Sequence, residues 1–370
     1  MGVVKLGDVA RESRLKWTKS KQDVPIVGLE HLIPDEIRFD AYDINTDNTF
    51  SKRFVKGQVL FGRRRAYQRK AAIAEFDGIC SGDITVIEAI EGKMVPELLP
   101  FIIQTPVFFD YANRGSAGSL SPRVKWEHLA DYEFELPPFE EQKILVDKLW
   151  AAYRLKEAYK KLLVATDEMV KSQFIEMYRR THKKLSLESV CTIMGKGITP
   201  KYVDFSSVVV INQACVHWDG LHLENVKYHN ESVPVKKRVL ETGDVLLNAT
   251  GNGTLGRCCV FSCLSDENKY INDGHVIAIS TDRAVILPEV LNSYLSLSDT
   301  QSEIYRQYVT GSTNQIDIVF TDIKQMNVPV PNMREQQQFV SILQQADKSK
   351  FELRKSIDAI DKVIKSLINN

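Results

Sequence analysis

The chain has 370 residues, and its 48 basic and 48 acidic side chains cancel to a formal net charge of zero. That length carries two to three domains, and 44% hydrophobic residues suffice for real cores, with no low-complexity tract to argue for disorder. Zero net charge excludes a whole-protein basic field, so any nucleic-acid surface must come from segregated charge.

No run approaches the ~18 apolar residues of a membrane span. The opening Met1-Gly2-Val3-Val4-Lys5-Leu6 lacks the apolar stretch of a secretory signal, and Leu6 stands where a myristoylation motif wants Ser or Thr. Cys80, Cys191, Cys215, Cys258, Cys259 and Cys263 are too few and too uneven for a disulfide framework. Cys258 and Cys259 with Cys263 and His275 fit no usual zinc spacing. The expectation is buried thiols, no metal site and a cytoplasmic protein.

In the first half, β-branched runs predict strands at 58–61, 71–75 and 84–89. Between the first two lies Arg63, Arg64, Arg65, Ala66, Tyr67, Gln68, Arg69, Lys70, five basic residues in eight positions without an acid. Arginine reads guanine bidentately and neutralises phosphate, and Tyr and Gln add base-edge or backbone contacts. The plainer reading is a solvated basic loop; the matching loop in the second half favours DNA contact. A helix is predicted at 96–113, after Pro96. Arg114-Gly115-Ser116-Ala117-Gly118-Ser119 with Arg123 is a weaker candidate, since small residues let backbone approach phosphate but also make ordinary turns.

Next comes Glu135-Leu136-Pro137-Pro138-Phe139-Glu140-Glu141-Gln142, where a strand ends and a helix starts, running to about Tyr178. Leu136-Pro137-Pro138-Phe139 superficially resembles the N-P-P-[YF] loop of amino-methyltransferases. Leu136, however, stands where a polar side chain would have to accept the target amine's hydrogens, so no such chemistry is available.

In the second half, strands are predicted at 208–211, 244–247, 258–261 and 276–280, and a helix at 288–309. Asn248, Thr250, Asn252, Thr254 and Arg257 form a polar loop leaving the strand equivalent to 58–61. Within it, Gly251-Asn252-Gly253-Thr254-Leu255-Gly256 fits G-x-G-x-x-G, but a dinucleotide site needs a helix to open there and the following residues read as strand. Thr310, Gly311, Ser312, Thr313, Asn314 and Gln315 repeat the weaker candidate. His217, His222 and His229 read as surface or loop histidines. With no P-loop, H-E-x-x-H or nucleophile elbow, no catalytic site is found.

The chain then repeats itself. Pro329-Val330-Pro331-Asn332-Met333-Arg334-Glu335-Gln336 matches the earlier strand end, and Pro331 lies 331 − 137 = 194 residues after Pro137. That interval is far too long for a solenoid unit. Phe339, Leu343, Ala346, Lys350, Leu353, Ile357, Ile360, Ile364 and Leu367 follow in alternating steps of four and three, a heptad seam. The same interval back gives Leu145, Leu149, Ala152, Lys156, Tyr159, Leu163, Thr166, Val170 and Gln173. Two such helices bury their stripes best against each other, with a lysine in each seam as a register device; packing of each helix on its own domain is the alternative. Leu6 and Val9 resemble Leu187 and Val190, residues 56–60 resemble 242–246, and Gly115-Ser116 resembles Gly311-Ser312.

On these residues the sequence resembles the specificity subunit of type I restriction–modification enzymes over its whole length, departing from the usual pattern at Asn332 and Arg334. The resemblance implies a mixed α/β protein. Two globular target-recognition domains, related by the internal repeat, would be separated by two long helices pairing as an antiparallel coiled coil. Residues 1–138 would form the first domain, 139–181 the first long helix, 182–331 the second domain and 332–370 the second long helix. Each domain would read half of a bipartite, asymmetric double-stranded DNA site. The subunit would be non-catalytic and bind no cofactor. Adenine methylation would fall to two modification subunits holding S-adenosylmethionine, and cleavage to ATP-driven restriction subunits. A helix of about 40 residues, roughly 60 Å long, would act as a ruler for the spacer. A specificity subunit of another two-subunit restriction enzyme, or a non-DNA coiled-coil scaffold, are the other readings.

Overall fold

The computed structural model describes residues 2–262, 266–312 and 315–369. It divides into two compact units, residues 1–161 with 354–370, and residues 162–353.

The first unit is built on a four-stranded antiparallel sheet in the order Ala10–Glu12, Ile84–Ala89, Val59–Gly62, Ala71–Ile73. The predicted strand at 84–89 is observed with the same bounds, and those at 58–61 and 71–75 are shifted or trimmed by one or two residues. Val59, Phe61, Ala71 and Ile87 face one core, where Phe61 meets Phe108 edge-on at 5.7 Å. Leu60, Ala72, Ile84 and Val86 face a second, with Phe39 and Phe54. A strand buried on both faces reads as a continuous apolar run instead of an alternating one.

The second unit repeats the sheet in the same order: Cys191–Lys196, Val276–Thr281, Val245–Asn248, Cys258–Val260. The likeness extends to single hydrogen bonds. Gly57 and Gly243 turn the chain into the equivalent strands at φ 91° and 95°, where a side chain would be strained. Their N–H groups donate to Ala74 O and Phe261 O, each at 2.8 Å. Leu6 N–H donates to Tyr132 O and Leu187 N–H to Met326 O, again both at 2.8 Å. The units differ in their second sheets, three-stranded in the first and four-stranded in the second.

Two predicted helices are each broken in two. The segment 96–113 is a short 3₁₀ turn with Leu99–Ile103, then Pro106–Arg114. Pro106 lacks the N–H that a continuous helix would use, and the Thr105 side chain caps the new start by accepting from Phe108 N–H at 3.2 Å. The segment 288–309 is Pro288–Leu295 and Ser298–Gln307, with Leu297 extended between them.

The long helices run Phe139–Arg180 and Met333–Asn369. The repeated glutamine explains the repeated motif. Gln142 is buried; its Oε1 accepts from Val95 N–H at 2.9 Å and its amide donates to Pro137 O at 3.0 Å. Gln336, also buried, accepts from Leu287 N–H at 2.8 Å and donates to Pro331 O and Val285 O, both at 2.9 Å. Each glutamine ties its helix start to the residue before an upstream proline-led helix, Pro96–Leu98 or Pro288–Leu295, satisfying backbone groups that would otherwise be stranded.

Along the second long helix a buried-to-half-buried stripe runs through buried Phe339 and Ala346 and half-buried Leu343, Lys350, Leu353, Ile357, Ile360 and Ile364. The first keeps it through Leu145, Leu149, Ala152, Lys156, Tyr159, Leu163 and Val170, then shifts: Gln173 is exposed, and Phe174 and Met177 are buried in its stead. A four-residue step after Val170 carries the larger apolar side chain inward. Leu149 and Phe339 also belong to their own units' cores.

Candidate nucleic-acid interface

In the first unit the basic residues leave the sheet at the end of Val59–Gly62 and form one turn of 3₁₀ helix, Ala66–Gln68, flanked by Arg65 and Arg69 in the left-handed region. Among the described residues the other non-glycine positions with positive φ are Asp23, Asp35 and Asn45. Asp and Asn tolerate that conformation, but an arginine there costs about 1–2 kcal/mol. Such strain persists where the side chain is needed for something else. Tyr67 projects between them, 58% exposed.

The weaker candidate segment lies against this loop. Arg65 N–H donates to Pro122 O at 2.8 Å, Val124 N–H to Arg63 O at 3.0 Å, and Arg64 and Arg123 pair as an antiparallel bridge. Asp83 joins the two: its carboxylate is 3.3 Å from Arg64 Nη1 and 2.7 Å from Arg123 Nε. Burial alone would raise the Asp83 pKa, but the hydrogen bonds from Arg123 and Arg64 outweigh it and hold the carboxyl below its ordinary value. Arg69 pairs with Asp35 at 2.7 Å and lies over the Phe109 ring. Lys70 donates to Leu29 O at 2.6 Å, and Arg114 to Asp110 O within its own helix at 3.4 Å. Arg63, Arg65 and Lys70 make no ion pair among the described residues, so within the cluster the carboxylates neutralise Arg64 and Arg69 alone.

In the second unit the same two segments meet in the same way. The loop after Val245–Asn248 bridges Thr250 to Asp317, and Ile318 N–H donates to Ala249 O at 2.8 Å. Asp317 belongs to the hairpin of Val309–Ser312 with Gln315–Ile318, which places exposed Ser312 near the hairpin's tip. Thr313 and Asn314 lie outside the described residues. Asn252 is exposed. Thr250 Oγ1 is 2.9 Å from His275 Nδ1, and Thr254 donates to Thr250 O at 3.1 Å.

Asn248 departs from its expected role. It is fully buried, and its amide donates to Gln213 O at 2.9 Å and Thr254 O at 3.2 Å. It builds the loop and is not presented at its surface, because the strand it ends is buried on both faces.

Arg257 Nη1 lies 3.5 Å from His217 Nδ1, and His217 stacks on His222 with ring centroids 4.0 Å apart. His222 is bracketed by Asp219 at 3.1 Å and Glu224 at 3.0 Å; the Asp219 hydrogen bond, then that of Glu224, lift its pKa above the ordinary value against the opposing effect of burial. His217, Asp219 and His222 have ligand atoms within 4.8 Å of one another. A cation among them would face the Arg257 guanidinium. His229, by contrast, is buried and accepts from Lys201 N–H at 3.0 Å.

The described cysteines are free thiols. Burial pushes Cys80, Cys191, Cys258 and Cys259 up to about 12 and Cys215 to about 11. Cys263 lies outside the described residues. No helix among the described residues is long and apolar enough to cross a membrane.

The family model for the type I restriction modification DNA specificity domain matches residues 1–163 and again 183–361. The chain belongs to that family. Both of its halves are therefore specificity domains, each carrying the paired segments just described. Over 96 residues it is 29% identical to the type I restriction enzyme EcoDI specificity subunit of Escherichia coli. That stretch covers 26% of this chain and 21% of the relative, about a fifth of its length. The whole fold is similar to that of the type I restriction–modification S subunit from M. genitalium, with a TM-score of 0.60 at 10% identity over 100% of this chain and 95% of the other. A chain from work on complex assembly and conformational transition of the type I R-M system is as similar, with a TM-score of 0.60 at 18% identity over 99% and 96%.

Proposed function

We propose that this chain is the DNA-reading subunit of a type I restriction–modification complex and supplies no catalytic group of its own. Each unit reads one half of a bipartite, asymmetric site in double-stranded DNA. Two modification subunits holding S-adenosylmethionine methylate adenine, and ATP-driven restriction subunits cleave. The observation that carries the reading is the repeated meeting of two segments at equivalent strand ends, with arginines in one unit and threonine, asparagine and a single arginine in the other. A duplicated scaffold with unlike loops suits one task performed on two unlike targets.

The long helices, in this reading, pair as an antiparallel coiled coil that sets the spacer. Lys156 meets Asp361 at 2.6 Å in the first unit, and Lys350 meets Asp167 at 3.0 Å in the second. The step from Lys156 to Asp167 equals the step back from Asp361 to Lys350, as a single antiparallel register requires. The repeat interval relates the two lysines, and likewise the two aspartates, so one ion pair occurs twice.

The test is binding of genomic DNA fragments by the chain with its modification partner at 50 and 200 mM salt. A complex that neutralises six or more phosphates loses roughly 10³-fold or more in affinity over that range. Affinity indifferent to salt would refute phosphate contact and favour the protein scaffold.

A further inference from the structure

The acid at the centre of the basic cluster is out of place on electrostatic grounds alone. A carboxylate repels phosphate, and five basic residues in one loop would attract DNA more strongly without it. Asp83 nevertheless sits between Arg64 and Arg123 with its side chain only 20% exposed, one oxygen on each guanidinium. Its backbone belongs to the same construction: Arg63 N–H donates to Asp83 O at 2.9 Å, and Asp83 N–H donates to Ser81 Oγ at 3.2 Å. Arg64 is held from the far side as well, its Nη2 donating to Ser121 Oγ at 3.1 Å. Three chain segments thus converge on one carboxylate, and two guanidiniums that would otherwise repel are fixed side by side.

We infer that Asp83 is a positioning residue for sequence reading, holding Arg64 and Arg123 in a fixed arrangement so that their free N–H groups address base edges and do not follow the phosphates. This inference rests on the DNA-reading function proposed above. A guanidinium whose plane is fixed by such anchors makes directional contacts with the N–H groups left over; Arg123, held through Nε alone, keeps both Nη groups for a bidentate contact. An unanchored one on a flexible stem seeks the nearest phosphate, which adds affinity without adding sequence information. Asp83 therefore trades general attraction for discrimination.

That trade gives the two quantities opposite signs. Methylome sequencing of the host identifies the recognised motif. The full chain with its modification partner is then titrated with a fragment carrying that motif and with one of equal length lacking it. Asp83→Asn keeps the size and removes the charge. It is expected to bind the motif-free fragment more tightly, with a steeper salt dependence by about one phosphate contact. The ratio of specific to non-specific affinity should fall roughly tenfold, the scale of one good bidentate contact. Asp83→Glu keeps the charge and the ion pairs but displaces the arginines. It should lower the ratio with non-specific affinity unchanged, and it decides the matter should Asp83→Asn fail to fold. An unchanged ratio in a folded variant overturns the inference. So does an equal fall in both affinities, which would mark Asp83 as merely structural. Salt-indifferent binding by the unaltered chain would instead remove the DNA-reading function on which the inference stands.

Discussion

Arg65 illustrates how a single residue reveals what a loop is kept for. Its left-handed backbone costs about 1–2 kcal/mol that glycine would avoid, so stability alone would have placed glycine there. Arg65→Gly should therefore leave thermal stability equal or slightly higher while weakening DNA binding at low salt. A variant less stable than the parent, with DNA affinity intact, would show that the arginine serves the fold. At His222 the sign runs through protonation. Its pKa is raised in the folded chain, so it contributes stability that is present below its ordinary pKa of about 6.5 and is lost as pH rises through the folded value. An NMR titration should place its midpoint above ~6.5, and Asp219→Asn should lower it; a midpoint at or below ~6.5 in the unaltered chain would show that Asp219 does not hold the imidazolium. Asp83 itself was not legible in the sequence. Its partners lie 19 and 40 residues away, and a lone acid in a Ser81-Gly82-Asp83 turn gives no sign that distant arginines will close on it. The buried side of Asn248 was hidden for a similar reason, since a polar residue at a strand end gives no hint of the carbonyls waiting for it.

At the scale of elements, the two long helices and their less exposed stripes were readable because a helix brings residues three and four apart together whatever surrounds it. The expected Gln173 failed where the seam was carried over from the second copy by the repeat interval; the local sequence, with Phe174 and Met177, sets the register there. The helix breaks followed from Pro106 and from Leu297, which is extended between Pro288–Leu295 and Ser298–Gln307. The twice-used ion pair is a sharp test of the antiparallel pairing. Lys156→Asp would set two carboxylates against each other, at a cost of about 1–3 kcal/mol for a partly buried pair, and should lower the urea midpoint. Adding Asp361→Lys restores opposite charges and should recover most of the loss. Failure to recover would mean that the two side chains do not interact across the helices.

For the molecule as a whole, the sequence repeat and the compact units do not coincide. The repeat divides the chain near its middle, whereas the first unit takes residues 354–370 from the far end. Ile364, Leu367 and Ile368 pack against a core otherwise made from the first 161 residues. The repeat was visible in the sequence. This exchange was not, because similar heptad patterns do not say which stretch of a helix will complete which core. It has a consequence for the nascent chain. A ribosome adding roughly 5–20 residues per second needs on the order of 10–40 s to pass from residue 161 to residue 354. Through that interval the first unit waits with an apolar flank uncovered, while the second unit, continuous in sequence, is completed. The domain translated first is therefore the last to be finished, and its vulnerability to chaperone capture or aggregation is set by the time taken to translate its neighbour.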